Sequence, residues 1–139
     1  MNGLEYKITG LGFLQTIISR MANNSFYIKG WVLTLFLAII VLKKETSYSS
    51  CTLEISIILV TLLFCFLDAY YLQQERVFRA IYNHLSTSKN NNDNFLNLNP
   101  KDYSFNISYI SSFSSPSIWL FYIAIIASTV LVFSPFLNK

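Results

Sequence analysis

The stretch from Leu53 to Leu85 most constrains how this chain can fold. Its first half, Ile55 to Leu67, carries no charge, and the residues after Leu72 turn polar, yet the stretch contains no proline or glycine. Nothing therefore breaks a helix across these 33 residues, which would extend about 50 Å at ~1.5 Å per residue. The hydrocarbon core of a bilayer takes up roughly 30 Å. The sequence predicts one helix that spans a membrane over residues 53–72 and continues out of it as a stalk over residues 73–85.

The composition points to the same environment. Hydrophobic residues make up 53% of the 139 residues and charged residues only 12%, about half of the ~25% that is typical of soluble domains. The net charge of +3 is better explained by membrane topology than by nucleic acid, because no basic cluster is interleaved with aromatic residues. We expect one helical membrane domain over residues 13–137, a flexible glycine-containing tail over residues 1–12, and no nucleic-acid partner.

Two further apolar segments complete a set of three predicted spans. Residues 26–42 form the first span, and residues 117–137 form the third. The third span has no charge and carries Trp119 at one end, where aromatic residues mark the membrane interface. The expected fold class is therefore an all-α membrane protein with three transmembrane helices, the second of them extended into the cytoplasm.

An amphipathic helix is predicted before the first span, over residues 13–23. Its apolar residues recur at helical spacing on one face, and they are Leu14, Ile17, Ile18 and Met21. The stalk carries a second apolar face, made of Val77, Phe78, Ile81 and Leu85. Since the two elements are similar in length by helical rise, we infer that these faces pack together as a small helical layer. The run Asn23-Asn24-Ser25 predicts a turn or cap between this helix and the first span.

The remaining segment, residues 86–116, is predicted to be a linker. The run from Asn90 to Asn94 is typical of a flexible linker. Tyr103 to Tyr109 instead alternates strictly between apolar and polar residues, which is the pattern of a half-buried strand. Such a strand would pair with residues 95–99 across a turn, although an isolated hairpin is only marginally stable.

The distribution of basic residues predicts the orientation. A three-span topology places seven of the ten Lys and Arg residues on one side: Lys7, Arg20, Lys29, Arg76, Arg79, Lys89 and Lys101. The other three lie on the opposite side: Lys43, Lys44 and Lys139. The positive-inside rule therefore predicts a multi-pass membrane protein with its N-terminus and stalk in the cytoplasm and its C-terminus outside.

Two charged residues inside the spans, Lys29 and Asp68, are the first candidate site. In an antiparallel hairpin both lie about 20 Å from the outer face, so their depths match. A charge in hydrocarbon costs roughly 2.5–3.5 kcal/mol on insertion scales, and such groups usually face a partner. We predict a Lys29–Asp68 pair, with Arg20 as the alternative cation. It either fixes the register of the hairpin or takes part in ion passage. We expect Asp68→Ala to be more harmful than Lys29→Ala, because a carboxylate reaches water less easily than a long ammonium.

The second candidate is a charged surface on the stalk. Glu75 and Arg79 are spaced as a favourable i, i+4 pair. Together with Arg20, Arg76 and Tyr82 they make a candidate cytoplasmic interaction surface. The alternative is that these residues serve only packing within the helical layer.

Enzymatic and metal chemistry find no support in the sequence. There is no glycine-rich phosphate loop and no Ser-His-Asp arrangement, and His84 is the single histidine. Cys51 and Cys65 would lie about 21 Å apart on one helix, too far for a disulfide. We expect no enzymatic activity, no cofactor, no metal and two free cysteines.

Two long motifs resemble a known group of proteins. They are Arg20–Trp31 (RMANNSFYIKGW) and Phe66–Tyr82 (FLDAYYLQQERVFRAIY), followed later by Asp102–Phe105 (DYSF). This combination is similar to a group of small bacterial multi-span proteins, which resemble the membrane effectors of anti-phage defence systems. The resemblance implies a role in defence and not a mechanism. Together with the charged groups in the spans and the predicted helical layer, it leads to the hypothesis of a homo-oligomer that perturbs the inner membrane when a cytoplasmic protein or a nucleotide signal triggers it. The alternative is a membrane anchor or adaptor for a cytoplasmic partner.

Overall fold

The regular secondary structure of the described residues is entirely helical. A computed structural model describes residues 3–45, 50–88 and 96–133, and within these ranges there is no strand. Its elements are α1 (Gly3–Glu45), α2 (Ser50–Thr87), a 3-10 turn (Pro100–Asp102), α3 (Tyr109–Phe113) and α4 (Pro116–Phe133). Three of these helices, α1, α2 and α4, are long and apolar enough to cross a membrane. The all-α class and the three candidate spans are thus confirmed, while the predicted end of the third span at residue 137 lies outside the described residues.

The first helix differs from its prediction. α1 runs without a break from Gly3 to Glu45, 43 residues in all, which corresponds to about 64 Å. The prediction of a flexible tail is therefore wrong from residue 3 onward, and so is the prediction of a turn at Asn23–Ser25. Glycine in a helix interior costs up to ~1 kcal/mol relative to alanine, so tertiary contacts have to hold this part of α1.

Those contacts come from the far end of α2. Leu14 is fully buried and packs in one cluster with Ile81 and Leu85 of α2. The Lys7 ammonium donates to the carbonyl oxygens of Ser86, at 3.1 Å, and Ser88, at 2.8 Å. The last carbonyls of a helix have no partner within it, so the lysine both satisfies them and suits the negative helix end.

We call this end of the molecule the basal layer. It consists of residues 3–24 of α1, residues 73–87 of α2 and the segment 96–108. The apolar faces that the sequence assigned to the first helix and to the stalk meet inside it, through Leu14 and Ile81. The layer continues directly into the apolar part of both long helices without an intervening loop.

The segment before α3 is extended but forms no strand. Tyr103, Phe105 and Ile107 are half-buried, whereas the polar residues between them are exposed. The alternation thus predicted the faces correctly, but their partner is α2: Gln73 Nε2 donates to the Ile107 carbonyl at 3.0 Å. The hairpin prediction is wrong for the described residues, because Pro100–Asp102 forms a 3-10 turn and the segment packs on a helix. Residue 95 and the predicted flexible run before it lie outside the described residues.

The apolar halves of the three long helices share one core. Val32 of α1, Ile57 and Ala69 of α2, and Ile118 and Ile125 of α4 are buried together. The faces turned away from this core carry exposed large apolar side chains, including Leu33, Leu37, Leu59, Leu63 and Leu120. Contiguous exposed apolar surface of this kind is rare on a soluble monomer, and it fits contact with lipid.

Candidate functional site

The charged site lies where α1 and α2 pass from the apolar core into the basal layer. Lys29 Nζ is 2.5 Å from Asp68 Oδ2. The Ser25 hydroxyl donates to Asp68 Oδ1 and accepts a hydrogen bond from Lys29 Nζ at 3.0 Å. Both carboxylate oxygens are therefore satisfied, and the three side chains form a closed triad, here called the Ser25–Lys29–Asp68 triad.

Helix geometry explains why these residues meet. Ser25 and Lys29 are one turn apart on α1 and share a face. Asp68 lies on the face of α2 that is turned toward the other helices, next to the buried Ala69. Matched depth brought Lys29 and Asp68 together in the sequence analysis. Ser25 was missed because its polar neighbours suggested a turn, although its i, i+4 spacing to Lys29 was visible.

Because the triad is buried, its two charges are neutralised by each other and not by water. The side chain of Asp68 has no exposed surface, and that of Lys29 is 20% exposed. A charge taken out of water needs a partner, and here the two charges neutralise each other. A buried pair adds little net stability over a well-packed apolar contact of similar volume, whereas removal of one partner leaves an uncompensated charge. In this arrangement Asp68 is not accessible to ions.

Two tyrosines attach the neighbouring elements to α2 around the triad. Tyr122 of α4 donates its hydroxyl hydrogen to the Phe64 carbonyl at 3.2 Å. Tyr109 of α3 donates to the Phe66 carbonyl at 2.9 Å. Partial burial, and to a lesser extent the nearby Cys65, raises the pKa of Tyr109, so the phenol stays protonated and remains a donor. α3 and α4 are thereby fixed to the turn of α2 that precedes Asp68.

The Arg76 side chain forms hydrogen bonds within the protein. Its guanidinium donates to the Ser111 carbonyl at 3.1 Å and to the hydroxyl oxygens of Ser112, at 3.5 Å, and Ser115, at 3.2 Å. Ser112 and Ser115 are buried. Arg76 therefore ties α2 to the junction between α3 and α4. The sequence places Arg76 in the candidate cytoplasmic interaction surface, and the structure adds contacts by which it positions α3 and α4.

The other residues of the predicted surface separate into two places. Arg79 pairs with Glu75 at 2.7 Å, and with Tyr82 it lines a groove of about 200 Å³ whose remaining walls are Gln15, Ile18 and Asn83. Arg20 is exposed elsewhere on α1 and forms no ion pair with Asp68 among the described residues. The alternative pairing of Asp68 with Arg20 is therefore wrong.

Metal-ligating residues do not gather in the part of the chain that the structure describes. No three His, Cys, Asp or Glu residues come together there in a way that could hold an ion. Cys51 is exposed and Cys65 is buried, and both are free thiols, as predicted.

Comparison with known proteins adds no relative. No family model matches the chain, and no curated protein or solved structure matches it either. The resemblance to small bacterial multi-span proteins thus remains a prediction from the two motifs. Function has to be inferred from the geometry of the chain itself.

Proposed function

We propose that this protein is a bacterial inner-membrane effector of anti-phage defence, which oligomerises and perturbs membrane permeability when it is triggered from the cytoplasm. The proposed orientation places the basal layer in the cytoplasm. The observation that carries the proposal is the closed Ser25–Lys29–Asp68 triad at the junction between the basal layer and the apolar core. Ser25 and Lys29 belong to the first motif that carries the family resemblance, and Asp68 belongs to the second.

The triad suits a switch between a closed and an open state. Ionisable groups inside membrane helices commonly mark ion pathways, because their cost in hydrocarbon is tolerated where they have a task. In the closed state the two charges satisfy each other. Separation of α1 from α2 would present Lys29 and Asp68 to water, and three helices alone enclose no aqueous path. A conducting state therefore needs several protomers, which is why the proposal includes oligomerisation.

The basal layer offers a route for the trigger. The groove lined by Ile18 and Tyr82 lies between the same two helices that carry the triad. Ile18 and Ser25 are seven residues apart on one continuous helix, which is about 10 Å by helical rise. A cytoplasmic protein or nucleotide signal that binds in this groove and separates the two helices would also displace Ser25 and Lys29. No flexible segment lies between the groove and the triad along α1.

Membrane depolarisation tests this proposal. Wild-type protein is expressed from an inducible promoter in bacteria with and without phage, and a potential-sensitive dye is followed together with growth. We expect depolarisation of infected cells, and we expect Asp68→Asn to depolarise cells without infection, because the closed state loses its ion pair. Glu54→Gln, at the other end of α2 and outside the triad, is the matched control and should behave as wild type.

Two results would reject the effector function. One is wild-type protein that leaves potential and growth unchanged in both conditions. The other is Asp68→Asn protein that inserts normally and cannot be distinguished from wild type, because the proposed function depends on the triad as its switch.

A second candidate function is that of a membrane anchor or adaptor. It is favoured by the groove at Arg79 and Tyr82, which gives the basal layer a recognisable binding surface without requiring ion passage. An adaptor should tolerate Asp68→Asn and lose its cytoplasmic partner on Arg79→Glu, whereas the effector should respond to Asp68→Asn. Co-purification of the partner and dye measurements on the same two variants distinguish the functions.

A further inference from the structure

An aromatic-lined groove lies on an exposed face of α1, apart from the triad. It measures about 390 Å³ and is lined by Phe26, Tyr27, Gly30, Trp31 and Thr34. The three aromatic side chains are 74%, 62% and 62% exposed, in chain order. Exposed tyrosine and tryptophan of this kind are enriched where a membrane helix passes the interface between headgroups and acyl chains.

The floor of the groove is open and apolar. A Cβ atom placed on Gly30 would meet no other atom within 4 Å. The Thr34 hydroxyl donates to the Gly30 carbonyl at 2.9 Å, so its one donor hydrogen is used within the helix. A groove with aromatic walls and no free polar donor at its floor suits a hydrocarbon chain.

A cation lies on the same face of α1, within the basal layer. Arg20 is exposed and forms no ion pair among the described residues. It precedes Tyr27 by seven residues, which places it roughly 20° around the helix and about 10 Å along its axis from the tyrosine. Asn23, also exposed, lies between them. The Arg20 guanidinium is therefore placed at the depth of the lipid headgroups, while the aromatic residues lie closer to the acyl chains.

We propose that this face of α1 binds an anionic phospholipid from the leaflet that adjoins the basal layer. The lipid phosphate lies on Arg20, which can contact it through two parallel N–H donors. One acyl chain follows Tyr27 and Trp31 into the space above Gly30. The inference does not rest on the proposed defence function, since it requires only that α1 crosses a membrane.

Charge decides between a lipid and a second copy of the chain. A parallel two-fold dimer centred on Gly30 would place the same surface of both copies face to face. Arg20 of one protomer would then approach Arg20 of the other without an acidic residue between them, which is unfavourable. An anionic lipid instead supplies the charge that this face lacks.

Quenching of Trp31 fluorescence by brominated lipids tests the proposal. Trp119→Phe leaves Trp31 as the single tryptophan, since the chain contains two. This variant is reconstituted into phosphatidylcholine vesicles that contain a minor fraction of phosphatidylglycerol, with bromine on the acyl chains of one lipid or the other. We expect phosphatidylglycerol to be enriched about fivefold next to Trp31, the factor that corresponds to one arginine at an anionic surface.

Three variants make the result specific. Arg20→Gln should return the enrichment to the bulk value, and Gly30→Leu should lower it by filling the groove. In Gly30→Ala the added Cβ atom meets no neighbouring atom, so this variant should keep the enrichment. It controls for the effect of replacing a glycine within the helix.

The proposal is overturned if both brominated lipids quench Trp31 in proportion to their bulk fractions, or if the preference survives Arg20→Gln. Protection of Trp31 from both lipids, together with a dimer-sized particle in detergent that Gly30→Leu dissociates, would assign the groove to a second copy and also overturn it.

Discussion

Removal of either partner of the Lys29–Asp68 pair is expected to weaken the hairpin of α1 and α2, but not equally. Lys29→Ala leaves a carboxylate that has no exposed surface and has lost its cation, while the hydroxyl groups of Ser25 and Tyr122 stay next to it. Asp68→Ala leaves an ammonium that is 20% exposed and sits on a flexible four-carbon stem. A lysine can turn its charged end toward the interface, and a buried aspartate cannot.

The magnitudes follow from this difference. Breaking a buried pair costs ~3–5 kcal/mol when the remaining charge stays uncompensated. We expect about 3 kcal/mol for Lys29→Ala, the lower end of this range, because hydroxyl donors remain next to the carboxylate. For Asp68→Ala we expect about 1–2 kcal/mol, since the lysine retains Ser25 and access to solvent. The burial of Asp68 thus reverses the order expected from the sequence: the group that cannot reach water is the one that suffers when its partner is lost.

A double-mutant cycle measures the coupling. Helicity is followed by circular dichroism as sodium dodecyl sulfate is titrated into protein in mild detergent, for wild type, Lys29→Ala, Asp68→Ala and the double variant. The double variant should be more stable than the sum of the two losses predicts, with a coupling free energy of about 2 kcal/mol. The charge swap Lys29→Asp with Asp68→Lys should recover part of the loss. Additive single losses, together with a swap no more stable than the worse single variant, would refute the pairing.

Three further substitutions test the basal layer and its junction with the apolar core. Arg76→Gln should destabilise the protein by about 1.5–3 kcal/mol, the range for hydrogen bonds to a charged group, because it breaks the contacts to Ser112 and Ser115. Arg79→Gln breaks one exposed ion pair and should cost only about 0.3–0.5 kcal/mol in the same titration. Gly12→Ala should stabilise α1 by about 0.5–1 kcal/mol, since a Cβ atom there meets nothing within 4 Å. A destabilised Gly12→Ala protein would show that this part of α1 is not the helix described.

The long helices could be predicted because their signals are local. The absence of proline and glycine from Leu53 to Leu85 predicts the continuity of α2, and the uncharged run at residues 117–133 predicts α4. α1 was divided into two elements because Asn23-Asn24-Ser25 is a common cap sequence. The contacts that favour an unbroken helix, Leu14 on Ile81 and Ser25 on Asp68, join residues far apart in sequence.

The candidate site was predicted in outline and not in its details. Depth along two helices depends only on residue counts, so Lys29 and Asp68 could be paired without a structure. The role of Arg76 could not, because its partners Ser111, Ser112 and Ser115 lie in a serine-rich segment that resembles a flexible linker. Nothing in that composition indicates that two of its hydroxyl groups are buried beside a guanidinium.

The central claim is that three helices cross the membrane and place the whole basal layer on its cytoplasmic side. A membrane-impermeant maleimide tests it most directly in intact spheroplasts, with Cys51 as a native reporter. Cys51 is exposed near the start of α2, on the proposed outer side, and Cys65 is replaced by alanine. For the opposite side, Ser104→Cys places the only thiol in the basal layer, in a variant from which both native cysteines are removed. The account predicts labelling of Cys51 in intact spheroplasts and labelling at position 104 only after the membrane is permeabilised. Labelling of both positions in intact spheroplasts, or the reverse pattern, would contradict it.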